Sequence, residues 1–303
     1  MTKRILVTGS NGLLGQKLVE LIRQQPEVEL IASSRGANKL AALYPDLHFV
    51  ALDVTDRAQV QHVLSAEQPT HLIHTAAMTN VDECELNHAS CWLQNVTAVE
   101  HLVEACEQLN IHLTHVSTDF IFSGEQGPLT EEAVPGPINF YGESKLAAEQ
   151  AVQASSARWA IVRTVLVYGI AHNYGRTNIV LWVRDSLKAG KQINVVDDQF
   201  RTPTLAEDLA QGCWLVARHD AGGVYNISSS ELLTPYQMAL QVADYFQLNK
   251  ELIIKADGST FSQPAKRPPR TGFIISKAQR DLGYKPHTFQ EGIALLAQQT
   301  VSY

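Results

Sequence analysis

Tyr141 and Lys145 stand four positions apart in the run Ile138-Asn139-Phe140-Tyr141-Gly142-Glu143-Ser144-Lys145. On a helix that spacing brings both side chains onto one face. A phenol beside an ammonium is an acid catalyst. Free tyrosine titrates near pH ~10 and an adjacent cation favours its phenolate, so Lys145 is expected to bring Tyr141 towards neutrality. Tyrosine and lysine share a helix face on many amphipathic segments, so the pair acquires meaning from its surroundings.

A third group comes from an upstream strand. The pattern His112-Leu113-Thr114-His115-Val116 runs into Ser117-Thr118-Asp119-Phe120-Ile121-Phe122, and in an open parallel sheet the ligand crevice lies at the carboxyl ends of the strands. Thr118 is thereby placed to hydrogen-bond a substrate carbonyl that Tyr141 protonates, while Lys145 steadies the tyrosine and a nicotinamide ribose.

The chain start supplies the hydride carrier's site. Arg4-Ile5-Leu6-Val7-Thr8 is a short apolar strand, broken by Gly9-Ser10-Asn11-Gly12-Leu13-Leu14-Gly15 before a helical pattern at Leu14, Leu18, Leu21 and Ile22. Glycines there permit positive φ, close approach of a pyrophosphate and tight helix packing, and the helix N-terminus favours the anion. The second strand ends in Ser33, Ser34 and Arg35, without the acid that holds a ribose 2′-hydroxyl. Small hydroxyls and a guanidinium suit a 2′-phosphate, so NADP(H) is favoured and NAD(H) stays open. Asp53 and Val54, after the third strand, stand where a carboxylate can accept from the adenine amino group, and Asp56 is a helix cap.

These groups need a scaffold. Strand candidates at 4–8, 28–33, 48–52, 71–75, 112–117 and 159–167 alternate with helical patterns near 13–25, 37–44, 56–67, 89–109 and 141–155. Such alternation predicts an α/β fold with a Rossmann-type, doubly wound parallel sheet. Beyond Gly169 come helical stretches near 177–189 and 205–218, a strand at 223–227, Thr234-Pro235 opening a helix, and short helices from Ser276 and Phe289. The expected division is residues 1–168 plus about 191–222 for the nucleotide-binding domain, and about 169–190 plus 223–303 for a smaller C-terminal α/β substrate lobe.

Composition narrows the class. The 303 residues are 45% hydrophobic and 18% charged, as in globular proteins, with no apolar run approaching a membrane span. The first apolar segment runs straight into the glycine turn instead of forming a leader, so a cytoplasmic location is expected. A formal charge of −7 argues against a nucleic-acid partner. Cys84, Cys91, Cys106 and Cys213 lack paired spacing and read as reduced structural thiols, with no metal site expected. His71, His74, His112 and His115 read as core or edge residues, and Trp182 and Trp214 as packing.

With these residues assembled, the chain resembles the extended short-chain dehydrogenase/reductases, and within them the dTDP-4-dehydrorhamnose reductase family. The resemblance is carried by residues 8–15, 117–124, 141–146 and 281–284, with a similar loop at Gly127-Pro128-Leu129-Thr130-Glu131-Glu132. It implies an NADPH-preferring reductase that delivers hydride to C4 of a nucleotide-linked 4-keto-deoxysugar, dTDP-4-dehydro-L-rhamnose foremost, with Thr118, Tyr141 and Lys145 as catalytic triad and Tyr141 as general acid. It implies cofactor contacts at Ala76, Ala77, Met78 and Ser117, in addition to those read above, and substrate contacts at Thr79, Val81, Thr118, Asp119, Phe120, Leu166 and Arg201. Asn95 would hold an active-site backbone or water. The cluster Lys266-Arg267-Pro268-Pro269-Arg270 is either a diphosphate contact or a solvated loop.

Two positions depart from the family pattern. Leu166 stands in Arg163-Thr164-Val165-Leu166-Val167-Tyr168-Gly169 where a tryptophan is usual, and Phe120 replaces a tyrosine. Competing readings are a nucleotide-sugar epimerase or dehydratase, and a non-catalytic subunit like the regulatory subunit of methionine adenosyltransferase. Phe120 instead of a second acid after Asp119, together with Arg35, disfavours the first, and an intact triad disfavours the second. A homodimer is left open.

Overall fold

The computed structural model describes residues 2–173, 175 and 177–301. In chain order its first part comprises β1 (Lys3–Thr8), α1 (Leu13–Ile22), β2 (Val28–Ser34), β3 (Phe49–Ala51), α2 (Arg57–Glu67), β4 (His71–His74), α3 (Val81–Leu86), α4 (His88–Trp92), α5 (Ala98–Leu109), β5 (His112–Thr118), α6 (Phe140–Gln153) and β6 (Trp159–Thr164). The second part comprises β7 (Val167–Tyr168), α7 (Ile179–Lys188), β8 (Ile193–Val196), β9 (Thr204–Leu205), α8 (Ala206–Arg218), β10 (Gly223–Asn226), α9 (Pro235–Tyr245), β11 (Ile253–Ala256), α10 (Ser276–Leu282) and α11 (Phe289–Val301).

The central sheet runs β3-β2-β1-β4-β5-β6-β10, every pair parallel. Side chains alternate along a strand, so β1 serves both faces. Ile5 and Val7 enter the core under α1, α8 and α10, while Leu6 enters the one under α2, α5 and α6. Strand order reverses between β1 and β4, which opens a crevice at their carboxyl ends. This is the expected Rossmann-type architecture. A third core, built from Val180, Val183, Val195, Met238, Val242, Phe289 and Ile293, holds α7, α9 and α11 together with the β8–β11 pair.

Strand pairing divides the chain differently from the sequence-based boundaries. β8 pairs with β11 and turns Ile193 and Val195 into the third core, whereas β10 pairs with β6 and completes the central sheet. α10 also packs on α8 and β10. The excursion to the small lobe thus returns to the large one twice.

Three local expectations change as well. Residues 37–44 form turns instead of a helix: Gly36 takes φ 86°, the Asn38 side chain accepts the Leu40 N–H at 2.9 Å, and Pro45 follows. Leu40 nevertheless buries against Val19 and Ala32. The helix expected over 89–109 carries a π-helical turn at Leu93–Thr97. The strand expected over 159–167 ends at Thr164, because Leu166 adopts φ 37° and redirects the chain into β7, which pairs with β9. The side chain of Thr204 donates to the Val165 carbonyl at 2.7 Å and braces that bend. No helix among the described residues is long and apolar enough to cross a membrane.

Candidate active site

Each expected catalytic residue reaches the crevice by a separate device. Thr118 ends β5, and its hydroxyl accepts the Phe120 N–H at 3.2 Å and donates to Asp119 Oδ1 at 3.1 Å. Asn139 caps α6 by accepting the Gly142 N–H at 2.8 Å, so the helix begins where Tyr141 can face β5. Gly142 allows the approach: a Cβ there would lie 2.2 Å from the Phe120 carbonyl oxygen. Lys145 follows one turn later.

The electrostatics differ from expectation. Burial among Met78, Cys84, Cys91 and Phe120 raises the Tyr141 pKa above its ordinary value, opposed by a hydrogen bond with Thr118. Lys145 does not supply the expected lowering. Its Nζ donates to the Val116 carbonyl at 2.8 Å and lies 3.2 Å from His115 Nε2. Burial lowers this ammonium to about 8, against the charge of Glu149. Asp119 is also raised by burial, with Arg201 and the Thr271 hydroxyl, 2.5 Å away, opposing. In this state the phenol stays protonated and ready to donate.

Asn95 lies buried in the π-helical turn. Its amide accepts the Met78 N–H at 2.8 Å and donates to the Met78 carbonyl and Ser144 hydroxyl, both at 3.0 Å. Ser144 donates in turn to the Tyr141 carbonyl at 2.8 Å. Asn95 therefore ties the loop after β4 to the helix of Tyr141 and Lys145.

A groove of about 620 Å³ crosses the carboxyl edge of the sheet. Gly9, Gly12, Leu13, Leu14, Gly15, Ser34, Arg35, Asp53 and Val54 line one end. Ala76, Ala77, Thr79, Val81, Ser117, Thr118, Asp119, Phe120, Tyr141, Lys145 and Leu166 line the other. Two expected cofactor contacts point elsewhere: Met78 packs with Cys84 and Cys91, and the Asn11 side chain bonds the Ala37 carbonyl and the Lys39 N–H. Arg201, expected at the substrate, lines a second cavity. Ser10 is buried in the glycine turn beside the groove.

The groove fits a dinucleotide. Gly15 sits so close to the turn that a Cβ would meet the Gly9 carbonyl at 2.2 Å, whereas Gly12 would meet only that oxygen, at 3.2 Å, leaving its groove side open. No side chain caps α1, so its N-terminus is available to an anion. The buried hydroxyls of Ser10, Ser33 and Ser117 have no partner among the described residues, which a polar ligand would correct. Arg35 is 71% exposed and 3.9 Å from Asp53, whose other oxygen accepts from Thr55, so the guanidinium is held loosely at the adenine end. His71, His74, His112 and His115 are buried in β4 and β5, as expected, and the four cysteines are free. No cluster able to hold a metal occurs among the described residues.

A second cavity, about 480 Å³, shares Phe120, Leu166, Thr177 and Asn178 with the groove. Trp182 and Phe261 line it; Trp182, expected as a packing residue, is instead exposed and forms part of this wall. Of the basic residues, Arg201 donates to the Pro268 carbonyl at 2.7 Å and the Phe200 carbonyl at 2.8 Å, and Arg270 covers the Phe200 ring. Arg267 lines the cavity while bonded to Asp82 at 2.7 Å. Sequence periodicity gave no sign of this cavity, because its walls come from segments far apart in the chain, from Phe120 to Arg267.

Comparison with known proteins identifies relatives of the whole chain. The family model described as RmlD substrate binding domain matches residues 3–302. A dTDP-4-keto-6-deoxy-D-glucose reductase of Streptomyces niveus is 37% identical over 242 residues, covering 79% of this chain and 77% of that protein. The methionine adenosyltransferase 2 subunit beta of Rattus norvegicus is 28% identical over 252 residues, 82% of this chain and 73% of the relative. Among solved structures, dTDP-4-dehydrorhamnose reductase from Bacillus anthracis in complex with NADP superposes with a TM-score of 0.85 at 27% identity, covering 99% of this chain and all of that one.

Proposed function

This chain belongs to the RmlD substrate binding domain family, and we propose that it reduces the C4 ketone of a dTDP-linked 6-deoxyhexose, with dTDP-4-dehydro-L-rhamnose as first substrate. It is an NADP-dependent oxidoreductase that acts as a dTDP-sugar reductase. The carrying observation is that Thr118, Tyr141 and Lys145 line one groove, long enough for a dinucleotide, where it meets a second cavity able to take a nucleotide sugar.

Gly12, the α1 N-terminus, Ser34 and Arg35 would hold NADP(H), which supplies the hydride when bound. Thr118 and Tyr141 orient the ketone oxygen, and the phenol transfers its proton to that oxygen as charge develops. Lys145, anchored by the Val116 carbonyl, lines the same groove and would offer a donor to the nicotinamide ribose. Phe120 and Leu166 form the apolar wall where the sugar enters.

The test is NADPH oxidation by purified protein on dTDP-4-dehydro-L-rhamnose, dTDP-4-keto-6-deoxy-D-glucose and UDP-linked counterparts. Turnover on the first is expected. A preference for the second would move the assignment to the sugar named for the Streptomyces relative. Inactivity on all of them, or NAD that survives dialysis, would overturn the proposal.

A further inference from the structure

We propose that His115 is the positioning residue of Lys145, its neutral ring accepting a hydrogen bond that holds the ammonium in place at the groove that Tyr141 also lines. The inference rests on the reductase reading above and extends it to a residue outside the triad.

Lys145 carries three N–H donors and is 3% exposed. The Val116 carbonyl takes one at 2.8 Å, and Nε2 of His115 lies 3.2 Å from the same nitrogen. Only an unprotonated Nε2 can accept from an ammonium, which places the ring proton on Nδ1. That Nδ1 is buried without a hydrogen-bond partner among the described residues. An orphaned donor in the core is costly, and here it is the consequence of turning the other nitrogen towards Lys145. The ring is also fixed from behind: His74 stacks on it with centroids 5.6 Å apart, and Nδ1 of His74 bonds the Thr8 hydroxyl at 2.8 Å. Thr8 lines the cofactor groove, so one contiguous set of buried side chains links that groove to the lysine.

The charge balance agrees. Burial, then the positive charge of Lys145, then His74 depress His115 well below the ordinary histidine value, so it remains neutral wherever an enzyme of this kind operates. The groups facing Lys145 are Glu149 on its own helix, Cys91 on α4, His115 on β5 and His74 on β4. Of these, His115 approaches the ammonium as a hydrogen-bond acceptor while lacking charge of its own. Two donors are thus anchored, and the third is left for the groove that Lys145 lines.

The experiment compares wild type with His115→Phe, which keeps an aromatic ring but no acceptor, and His115→Gln, whose amide oxygen reaches a similar point. Two readouts apply: ¹⁵N NMR of the His115 ring with ¹³Cε titration of Lys145, both in the protein without ligands, and the pH profile of kcat and KM. The expected results are an unprotonated Nε2 across the neutral range and a Lys145 pKa about one unit lower in the phenylalanine variant. Its kcat should fall about tenfold or more near neutral pH, with KM for NADPH little changed. His115→Gln should recover most of both properties. A proton on Nε2, an unshifted Lys145 in His115→Phe, or equal impairment of the two variants would overturn the assignment. If the phenylalanine variant fails to fold, the wild-type ring spectrum and the glutamine variant still decide. If wild type reduces no ketosugar, the functional reading fails while the NMR result stands independently.

Discussion

Replacing Glu149 with glutamine tests the packing behind the site and its electrostatics together. Glu149 on α6 and Arg163 on β6 are 1% and 3% exposed. Their contact is two-pronged, Nε to Oε1 at 3.0 Å and Nη2 to Oε2 at 2.7 Å. Removing one member of such a pair typically costs about 3–5 kcal/mol, because the other charge stays buried without compensation. Two features favour the lower end. Arg163 keeps the Glu131 carbonyl at 3.0 Å and the Phe122 ring at 5.4 Å, and glutamine retains an acceptor. About 3 kcal/mol at roughly 2–4 °C per kcal/mol predicts a Tm lower by about 6–12 °C, read by calorimetry at neutral pH. The same change removes the carboxylate that raises Lys145, so the ammonium, held at about 8, should titrate lower and the alkaline fall in kcat should move to lower pH. A Tm within about 2 °C of wild type would refute the buried-pair reasoning. An unmoved alkaline limb would refute the electrostatic link.

Tyr141→Phe removes only the phenol oxygen, and Thr118 keeps Asp119 and the Phe120 N–H as partners, so the fold and NADPH binding should persist while kcat falls about 10²-fold or more; turnover within a few-fold of wild type excludes Tyr141 as the acid. Arg35→Ala should weaken NADPH more than NADH in equilibrium titrations, and equal losses would mean that Arg35 does not read the 2′-phosphate. Burial lowers His71 to about 4 and His74 to about 3 from an ordinary 6.5. The unfolded chain therefore binds more protons below about pH 6.5, and stability must fall as pH drops from there towards 3. Urea midpoints measured across that window should decline with acidity, and a flat profile would contradict the neutral buried state.

The nucleotide end was legible because its signals are local. Ile5, Leu6 and Val7 declare a strand buried on both faces, and Gly9, Gly12 and Gly15 declare the turn. Tyr141, Lys145 and Thr118 were legible by type and spacing, although the direction of the ammonium was not: whether Lys145 meets Tyr141 or His115 depends on how α6 lies across β5. Leu166 looked like one more strand residue, since nothing in its side chain advertises φ 37°; the demand comes from Thr204 and the β7–β9 pair, supplied much later in the chain. β8 and β10 were exchanged between lobes for a related reason. Both are short apolar strands, and only their partners, β11 and β6, distinguish them.

The return of β10 to the edge of β6 has a consequence for biogenesis. As the chain leaves the ribosome, the first six strands can assemble once α6 and β6 have emerged, yet the outer edge of β6 remains uncovered until residues 223–226 arrive. During that interval Ala160, Ile161 and Val162, fully buried in the finished protein, border an unpaired edge, the kind of surface that recruits a neighbouring chain. A fragment stopped at Tyr168 would hold that exposure permanently. The small lobe's second role is therefore temporal: its length sets how long the growing sheet must wait for its last strand.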